Sequence, residues 1–416
     1  MVNSDTQSVD IAIIGGGLVG ASLACALGKQ GHSVAVVEAR PIYQSQAASF
    51  DERTLALSFG SAQIFASLGL WSDVLQQGIS PIESIHVSDQ GFPGKTRLQA
   101  NEAGVDALGY VVPMRILGSV LKDALAQLDT VKFFCPASLS AMTTDTDHAR
   151  LSITTESVEH ELHASLVVGA DGADSVVRQF AGIQDRSSDY QQSAVIANIS
   201  SERAHRNVAY ERFTRHGPLA MLPLPAYDDD QHRSALVWTV PTERVETVMA
   251  YSDEEFLAEV MQDFGMSLGR LLKTGKRHAF PLSLRQAQDS IAERVALIGN
   301  AAHTLHPIAG QGFNLGLRDV AVLAQVVVDA LRAGRDPGLL QALQLYADWQ
   351  QSDQQRVIGF TDSLVRAFSN RLPPLAFVRN MGMFGAEIFP SLKQRLAKQA
   401  MGVAGKLPRL ARGLPL

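Results

Sequence analysis

Short apolar runs alternate with helical patterns at the start of the chain. Residues 9–14 form an apolar run that predicts a buried strand, and residues 21–30 follow as a helix that stops at Gly31. A second strand is predicted over residues 33–37. A strand, a helix and a strand within roughly 30 residues predict an α/β unit with a parallel sheet.

The pattern changes twice further along the chain. Residues 131–168 predict hairpin strands around a polar turn at 143–148. Between residues 190 and 290 apolar and polar positions alternate, which predicts a mostly antiparallel sheet on which a substrate could lie. The strands expected there span residues 193–199, 208–213, 219–225 and 234–240. After the glycine-rich stretch near residue 312, helical patterns dominate to the C-terminus.

A glycine-rich turn joins the first strand to the first helix. Gly15, Gly17 and Gly20 have the spacing G-x-G-x-x-G, which allows a tight turn, the approach of a pyrophosphate and close packing of helix on strand. Glu38 follows the second strand, where it can accept hydrogen bonds from a ribose. This arrangement predicts a Rossmann-like unit for a dinucleotide with a free 2′-hydroxyl, which both FAD and NAD have.

Two later stretches add candidate binding residues. A buried strand ends in Ala170-Asp171-Gly172, which predicts Asp171 at the carboxyl edge of the sheet, where open α/β folds bind ligands. A strand over 295–298 leads through a Pro-containing loop to a glycine-rich helix start at residues 310–316. Free N–H groups at a helix start suit a partner that carries or develops negative charge, although such a start can also serve packing alone.

Composition and charge narrow the class of protein. The chain has 416 residues, which predicts two domains or one domain with an inserted one. Of these residues 46% are hydrophobic and 19% charged, as in ordinary globular proteins. Its net charge of -6 argues against nucleic-acid binding. Cys25 and Cys135 lack metal-ligand spacing, so we expect no metal site and a reducing compartment. The polar N-terminus and the lack of a long apolar run predict a cytoplasmic protein.

The C-terminal segment 386–416 is basic and amphipathic. After Glu387 the chain has six basic and no acidic residues, which leaves -12 on residues 1–387. The apolar residues beside those charges are Phe389, Leu392, Leu396, Met401, Val403 and Leu407. This combination predicts contact with the inner face of the cytoplasmic membrane. The alternative is the solvated basic end of a helical bundle.

The three glycine-containing stretches together resemble the group A flavoprotein monooxygenases, the aromatic hydroxylases related to p-hydroxybenzoate hydroxylase. Their order and spacing match, and the resemblance spans nearly the whole chain. The runs at 51–58, 211–223 and 299–302 are most similar to the ubiquinone-pathway branch that hydroxylates 2-polyprenyl-6-methoxyphenol. Asn300 stands where most members have Asp, so it can bond a ribitol hydroxyl but brings no negative charge.

The resemblance implies an FAD site. Gly15, Gly17 and Gly20 would hold the pyrophosphate, and Glu38 would hold the adenosine ribose. The remaining residues implied to bind the cofactor are Arg53, Arg115, Asp171, Asn300, Pro307, Gly310, Gln311, Gly312, Phe313 and Asn314.

The implied roles of these residues differ. The two arginines would lie near the pyrophosphate and ribitol, although Arg53 could equally form a surface ion pair with Asp51 or Glu52. Asp171 would support the glycine-rich loop. Pro307 would line the oxygen-reacting face of the flavin, and residues 310–314 would present N–H groups to its pyrimidine edge, where the reduced ring carries charge.

The resemblance also implies a reaction. NAD(P)H would reduce FAD, O2 would form a C4a-hydroperoxide, and its distal oxygen would pass to an electron-rich phenol. The apolar run 219–225 lies where hydroxybenzoate-type members anchor a carboxylate, so it suits a polyprenyl phenol better, unless it is plain sheet core. We assign no catalytic residue. His303 and His306 are candidates for a general base, but structural donors are the commoner role of such residues.

Several functions stay open at this point. The leading one is hydroxylation of a polyprenyl phenol in ubiquinone biosynthesis. A sister enzyme acting at another ring position and a flavin-binding scaffold in a biosynthetic complex are the alternatives. A flavin-dependent halogenase is disfavoured because no Trp-x-Trp-x-Ile-Pro sequence occurs.

The expected architecture is p-hydroxybenzoate hydroxylase-like. A discontinuous Rossmann-like FAD-binding domain would comprise residues 1–85, 100–188 and 290–385. The inserted, mostly antiparallel substrate domain would comprise residues 86–99 and 189–289, and a helical C-terminus would end in the segment 386–416.

Overall fold

The computed structural model describes residues 7–40, 48–156, 158–304, 310–369, 387 and 389–416. Its strands are β1 Gln7–Ile14, β2 Val34–Val37, β3 Thr54–Ser58, β4 Ser80–Ile82, β5 Ser84–Asp89, β6 Lys95–Gln99, β7 Gly109–Pro113, β8 Val131–Phe134, β9 Ser138–Thr144, β10 Ala149–Thr155, β11 Val158–Gly169, β12 Asp185–Ser201, β13 Val208–Thr214, β14 Gly217–Pro223, β15 Arg233–Pro241, β16 Leu271–Thr274, β17 His278–Ala287, β18 Ile291–Ala292, β19 Val295–Leu297 and β20 His303–Thr304.

The helices are α1 Leu18–Gly28, α2 Phe59–Ser67, α3 Trp71–Gln76, α4 Ala100–Ala103, α5 Met114–Leu125, α6 Val176–Phe180, α7 Val245–Ala250, α8 Asp253–Phe264, α9 Gln311–Arg332, α10 Leu340–Ser369 and α11 Pro390–Ala400.

A parallel sheet in the order β8-β2-β1-β11-β19 is the centre of the first layer. The predicted strand–helix–strand start of the chain is confirmed, with Ile13 of β1 lying between Val36 of β2 and Val168 of β11. Helices α1, α5 and α9 cover one face of this sheet, and β9, β10 and α6 pack on the other, which explains why residues 11–14 and β2 are apolar on both faces. The α/β class predicted from the sequence is therefore confirmed.

One part of the strand prediction is wrong. Residues 131–168 do not fold entirely as hairpins, because β8 pairs in parallel with β2 at the edge of the central sheet. Only β9, β10 and β11 form the antiparallel ribbon, whose turn lies at residues 145–148. The apolar run of β8 suits either role, and its pairing with a strand some 100 residues earlier is not visible in local sequence.

A second, mostly antiparallel sheet has the order β20-β17-β12-β15-β14-β13-β5-β6, with β16 also paired to β12. The four strands predicted between residues 190 and 290 correspond to β12, β13, β14 and β15, and among the described strands of this sheet only β13 and β5 pair in parallel. One face is covered by α7 and α8, which bury Trp238 and Phe256. These two helices were not predicted, although Ser252 and Glu255 form a capping box that starts α8.

A small sheet in the order β3-β7-β4 lies between the two large ones. Val111 of β7 and Ile82 of β4 pack against Ala209 and Ala235 of the second sheet. Ala56 of β3 pairs with Val111 and contacts the start of α9. This small sheet thus joins the face of the second sheet opposite α7 and α8 to the glycine-rich helix start.

The C-terminal segment packs on the body of the protein. Leu396, Ala397 and Met401 form a cluster with Leu98 and Leu108. The segment is also held by Lys393, which pairs with Glu102 at 2.9 Å, and by further contacts of Arg409 with Asp329 and of Lys406 with the Trp349 ring. Phe389 and Leu392 remain exposed, at 59% and 41%. Of the six apolar residues predicted to face the membrane, only these two could do so without unpacking the segment.

The residue boundaries proposed for the domains stay a prediction. Strands β5 and β6 do pair within the second sheet, and so does β20, which lies beyond the expected substrate region. In the described part of the chain, no helix is long and apolar enough to cross a bilayer.

Candidate cofactor and substrate site

The three motifs singled out in the sequence meet at one edge of the parallel sheet. They follow β1, β11 and β19, which are neighbouring parallel strands, so their carboxyl ends lie side by side. The Ala170 amide donates to Ile14 O at 2.7 Å, and the Ile298 amide donates to Gly169 O at 2.9 Å. Such an edge is where open α/β sheets bind ligands.

The three glycines of the first turn differ in what surrounds them. Gly15 has φ +104°, and a Cβ there would lie 2.3 Å from Ala170 O. A Cβ on Gly20 would lie 1.9 Å from Gly15 O. A Cβ on Gly17, the N-cap of α1, would meet no atom within 4 Å. Gly15 and Gly20 therefore permit the close packing of the turn, whereas the space beside Gly17 is open to a pyrophosphate.

Glu38 lies directly after β2 and reaches back to this turn. Its Oε2 accepts a hydrogen bond from the Gly16 amide at 2.7 Å, and its Oε1 accepts one from the Arg40 amide at 2.9 Å. The carboxylate is therefore held beside the glycine turn by backbone donors. A ribose attached to a pyrophosphate at Gly17 would come within reach of it.

Asp171 lies at the predicted sheet edge, and its side chain also accepts hydrogen bonds from the first amides of α6. Its Oδ2 accepts hydrogen bonds from the Val176 and Val177 amides at 2.7 and 3.2 Å. Its Oδ1 is enclosed and has no hydrogen-bond partner among the described residues. Burial raises the pKa of Asp171 above its usual value, although the helix N–H groups oppose this effect. An enclosed acceptor of this kind calls for a donor from a ligand or water.

The turn after β19 is held by a buried acid that the sequence did not single out. Asp319 of α9 accepts hydrogen bonds from the Gly299 amide at 2.9 Å and from His303 Nε2 at 2.7 Å. This arrangement makes His303 a structural donor, as one of the two sequence alternatives expected. Asn300 follows Gly299 and is exposed at the sheet edge.

The start of α9 combines open space with a rigid anchor. Gly310 has φ +61° and lies against Ala56, while a Cβ on Gly312 would meet nothing within 4 Å. Asn314 is buried, and its amide makes four hydrogen bonds of 2.7–2.9 Å, to Ser58 N, Ser61 Oγ, Ala56 O and Gly310 O. Its side chain thus fixes the helix start rather than pointing at a ligand.

The remaining residues of the predicted set are placed differently. Gln311 is buried, and Phe313 is partly buried against the core of the first layer. Arg115 donates to Glu52 Oε2 at 2.7 Å, and the exposed Arg53 lies 5.4 Å from the centre of the Phe280 ring. The ion pair of Arg53 with Asp51 or Glu52, one of the two predictions for Arg53, is not formed, and Glu52 pairs with Arg115 instead. Pro307 and His306 lie outside the described residues.

The face of the second sheet opposite α7 and α8 is turned toward the residues around Phe50. Asn198 of β12 donates to Phe50 O and Glu52 O at 2.6 and 3.0 Å. In the run 219–225, Leu219 and Met221 pack under α8, whereas Leu222 and Leu224 belong to the opposite face. Leu219 and Met221 are therefore sheet core, while cleft lining stays a prediction for the residues on the opposite face.

These features fit a flavin dinucleotide. Gly17 and Gly312 leave open space beside the backbone, and Asp171 has an enclosed acceptor. The start of α9, a helix of 22 residues, directs a positive dipole end toward the same region. A pyrophosphate and a flat, electron-accepting ring need these two kinds of surface.

Comparison with protein families and known sequences gives a consistent result. Residues 8–346 match the model of the family described as FAD binding domain. The chain is 38% identical to ubiquinone hydroxylase UbiL of Rhodospirillum rubrum, an alignment that covers 100% of this chain and 95% of that protein. It is 34% identical to 3-demethoxyubiquinol 3-hydroxylase of Escherichia coli, with 95% and 99% covered.

Solved structures share the fold. The chain superposes on p-nitrophenol 4-monooxygenase PnpA of Pseudomonas putida with a TM-score of 0.78 and 17% identity, over 96% of this chain and 100% of that one. PqsL of Pseudomonas aeruginosa, solved with 2-aminobenzoylacetate, gives a TM-score of 0.75 at 24% identity, over 91% and 100%.

Proposed function

Because this chain belongs to the FAD-dependent monooxygenases of ubiquinone biosynthesis, we propose that it hydroxylates the ring of a polyprenyl phenol, 2-polyprenyl-6-methoxyphenol. The observation that carries this proposal is the similarity over nearly the full length to ubiquinone hydroxylases. The partly exposed apolar side chains Ile196, Val237 and Val87, on the face of the second sheet opposite α7 and α8, support a substrate with a prenyl tail.

The residues proposed to hold FAD follow the shape of the sheet edge. Gly15, Gly17 and Gly20 form the pyrophosphate turn, and Glu38 accepts from the adenosine ribose. Asn300 donates to a ribitol hydroxyl, and Asp171 Oδ1 accepts a hydrogen bond from the ligand or from a bridging water. Bound FAD supplies the activation of O2, with NAD(P)H as the reductant.

The flavin ring is proposed to lie at the start of α9. Residues 310–314 offer N–H groups at the positive end of a long helix, which stabilises the negative charge of a reduced ring. Asn314 holds that helix start in place, so its role is positioning. Pro307 is assigned to the oxygen-reacting face by resemblance alone.

Two alternatives have distinct outcomes. A sister hydroxylase would add oxygen at another carbon of the ring, and a flavin-binding scaffold would hold FAD without turnover. The test is NAD(P)H oxidation by the yellow protein with a short-tailed 2-prenyl-6-methoxyphenol, with the product position assigned by NMR. Oxygen at a different carbon supports the sister enzyme. Oxidation that no prenyl phenol stimulates supports the scaffold.

We further propose that α11 contacts the membrane that carries such substrates. Phe389 and Leu392 are exposed beside the exposed cations Arg395 and Lys398. Replacing both apolar residues by Ser is expected to lower co-sedimentation with anionic liposomes, while Leu345→Ser, at an equally exposed site on α10, leaves it unchanged. Equal co-sedimentation of all three proteins would contradict the proposal.

A further inference from the structure

Strand β13 separates its side chains between two environments. Tyr210 packs with the cluster under α8, and Arg212 donates through Nε to Asp263 O at 2.8 Å on the same side. Ala209 packs on the other side, against Ile82 and Val111 of the small sheet. Because side chains alternate along a strand, Glu211 lies on the face of Ala209, opposite α7 and α8.

The register of the sheet places Glu211 in a row that runs across five strands. The row consists of Ile196, Val237, Ala220, Glu211 and Val87. Four of its members are aliphatic, so Glu211 is the one ionisable side chain among them. Apart from the buried Ala220, each member of the row is partly exposed. The row therefore forms part of a surface that a ligand can reach.

This row lies close to the proposed flavin position. Ala209, two residues before Glu211, packs with Val111 of β7. Val111 pairs with Ala56 of β3, and Ala56 is the residue against which Gly310 lies. A ring bound between the row and the start of α9 would thus meet the carboxylate on one side and the flavin on the other.

The surroundings of Glu211 supply no described partner charge. Its neighbours across the strands are Val87 and Ala220, and β14 carries no ionisable residue. Asp89 lies on the same face of β5, beside Phe213. Arg212 and His86 point to the other face, where Tyr210 and Asp263 meet them.

Helix α10 also contacts β13 and β14. Among the charged side chains of α10 that the structure describes, Asp348 accepts a hydrogen bond from Gln344, Asp353 pairs with Arg318, and Arg356 donates to Ala404 O. Burial raises the pKa of Glu211 to about 7, close to the pH at which a general base works best.

We propose that Glu211 is the catalytic base that accepts the hydroxyl proton of the phenol substrate. This inference rests on the proposed function. In the step, the O–H bond of the phenol breaks, the proton moves to a Glu211 oxygen, and the ring oxygen becomes anionic. The ionised ring is richer in electrons at its ortho and para carbons, which favours attack on the electrophilic oxygen supplied at the flavin.

The proton balance closes within one turnover. When the new C–O bond has formed, the ring carbon loses its hydrogen to solvent and aromaticity returns. Glu211 then gives its proton back to the original ring oxygen and is again ionised. The two electrons that reduce the second oxygen atom to water come from NAD(P)H, so Glu211 changes only protonation.

The experiment compares wild type, Glu211→Gln and Glu211→Asp with Glu246→Gln. Glu246 is exposed on α7, on the far side of the sheet, and serves as the matched control. Holoenzyme reduced without oxygen is mixed with O2 and a short-tailed prenyl phenol, and the product formed per flavin is measured. Ultraviolet difference spectra report how much of the bound phenol is ionised.

The expected result has three parts. Glu211→Gln keeps its FAD and binds the phenol, but hydroxylation slows by a factor on the order of 100 to 10,000. Its bound phenol stays un-ionised at pH 8, whereas the wild-type complex contains phenolate. A fluorinated phenol with a pKa below 8 restores hydroxylation in the variant, since no base is then needed; a purely structural role would give no such rescue.

The outcomes separate the two proposals. If wild type hydroxylates the phenol and Glu211→Gln does so equally well, the base assignment is overturned and the proposed function stands. If the variant is slow but its bound phenol ionises normally, or fluorinated phenols give no rescue, the assignment is also overturned. If wild type hydroxylates no phenol, both fail. If Glu211→Gln folds poorly, the pH dependence of wild type decides. A base with this pKa makes kcat/KM fall below about pH 7, and a wild type without that fall would overturn the assignment.

Discussion

The carboxylate of Asp319 accepts a hydrogen bond from His303 at 2.7 Å, and both side chains are almost fully buried. The same oxygen accepts from the Gly299 amide. One acid on α9 thus holds both the turn after β19 and strand β20. Because β20 pairs with β17 of the second sheet, this pair also ties the two large sheets together at the proposed cofactor edge.

Asp319→Ala is expected to weaken the fold and the retention of FAD. It leaves the Gly299 amide and the His303 side chain without their acceptor, at a cost of about 1–3 kcal/mol for each buried group. Urea unfolding of the apoprotein and the flavin content after gel filtration measure the two effects. Asp348→Ala, at an exposed position of α10, is the control and should change neither. Equal unfolding midpoints for the two variants would contradict this role.

Gly17→Ala and Gly20→Ala are expected to fail in different ways. The new methyl group of Gly17→Ala meets no protein atom, so the apoprotein keeps its stability while its affinity for FAD falls roughly tenfold or more, or about 1.4 kcal/mol. The methyl group of Gly20→Ala would overlap Gly15 O, so this variant loses stability even without FAD. Thermal unfolding of the apoproteins and FAD titration distinguish the two. A destabilised Gly17→Ala apoprotein would contradict the open space beside Gly17.

Glu38→Ala is expected to weaken binding of FAD without weakening that of FMN. A hydrogen bond to a charged group contributes about 1.5–3 kcal/mol, and FMN lacks the adenosine ribose that Glu38 is proposed to bind. Titration of each flavin by fluorescence quenching measures both affinities. Glu243→Ala, at an exposed position, is the control. An equal loss for both flavins would place Glu38 elsewhere than at the adenosine ribose.

The stability of the apoprotein should depend on pH through the raised pKa of Glu211. Its folded pKa of about 7 lies above the ordinary value of 4.5, so its contribution to stability is complete below pH 4.5 and is lost as the pH rises through 7. Glu211→Gln has no such loss. We expect this variant to gain about 2–3 kcal/mol relative to wild type between pH 5 and pH 8. Urea unfolding at both pH values tests this, and a pH-independent difference would contradict it.

The local pattern of the chain predicted the parts of the fold that depend on near neighbours. The strand, turn and helix around Gly15 and Gly20, the strand before Asp171 and the long helix from Gln311 all follow from apolar periods and glycine positions. The capping box at Ser252 also indicates the start of α8, but α8 was not predicted because strands were expected throughout residues 190–290.

The rest depended on contacts between distant residues. The pairing of β8 with β2 and the parallel pairing of β13 with β5 join segments about 100 residues apart and more, and no local period encodes them. Asp319 resembles any acid on a long helix until His303 is seen beside it. Glu211 likewise stands in an ordinary alternating strand, and its isolation appears only when the rows of the sheet are aligned.

The most direct test of the proposed hydroxylation is a turnover in ¹⁸O2. Purified holoenzyme is supplied with NAD(P)H and a short-tailed 2-prenyl-6-methoxyphenol, and the product is analysed by mass spectrometry. We expect one ¹⁸O atom on the ring for each NAD(P)H consumed in coupled turnover, and none from H2¹⁸O. A protein that retains FAD but incorporates no oxygen from O2 into any prenyl phenol would contradict it.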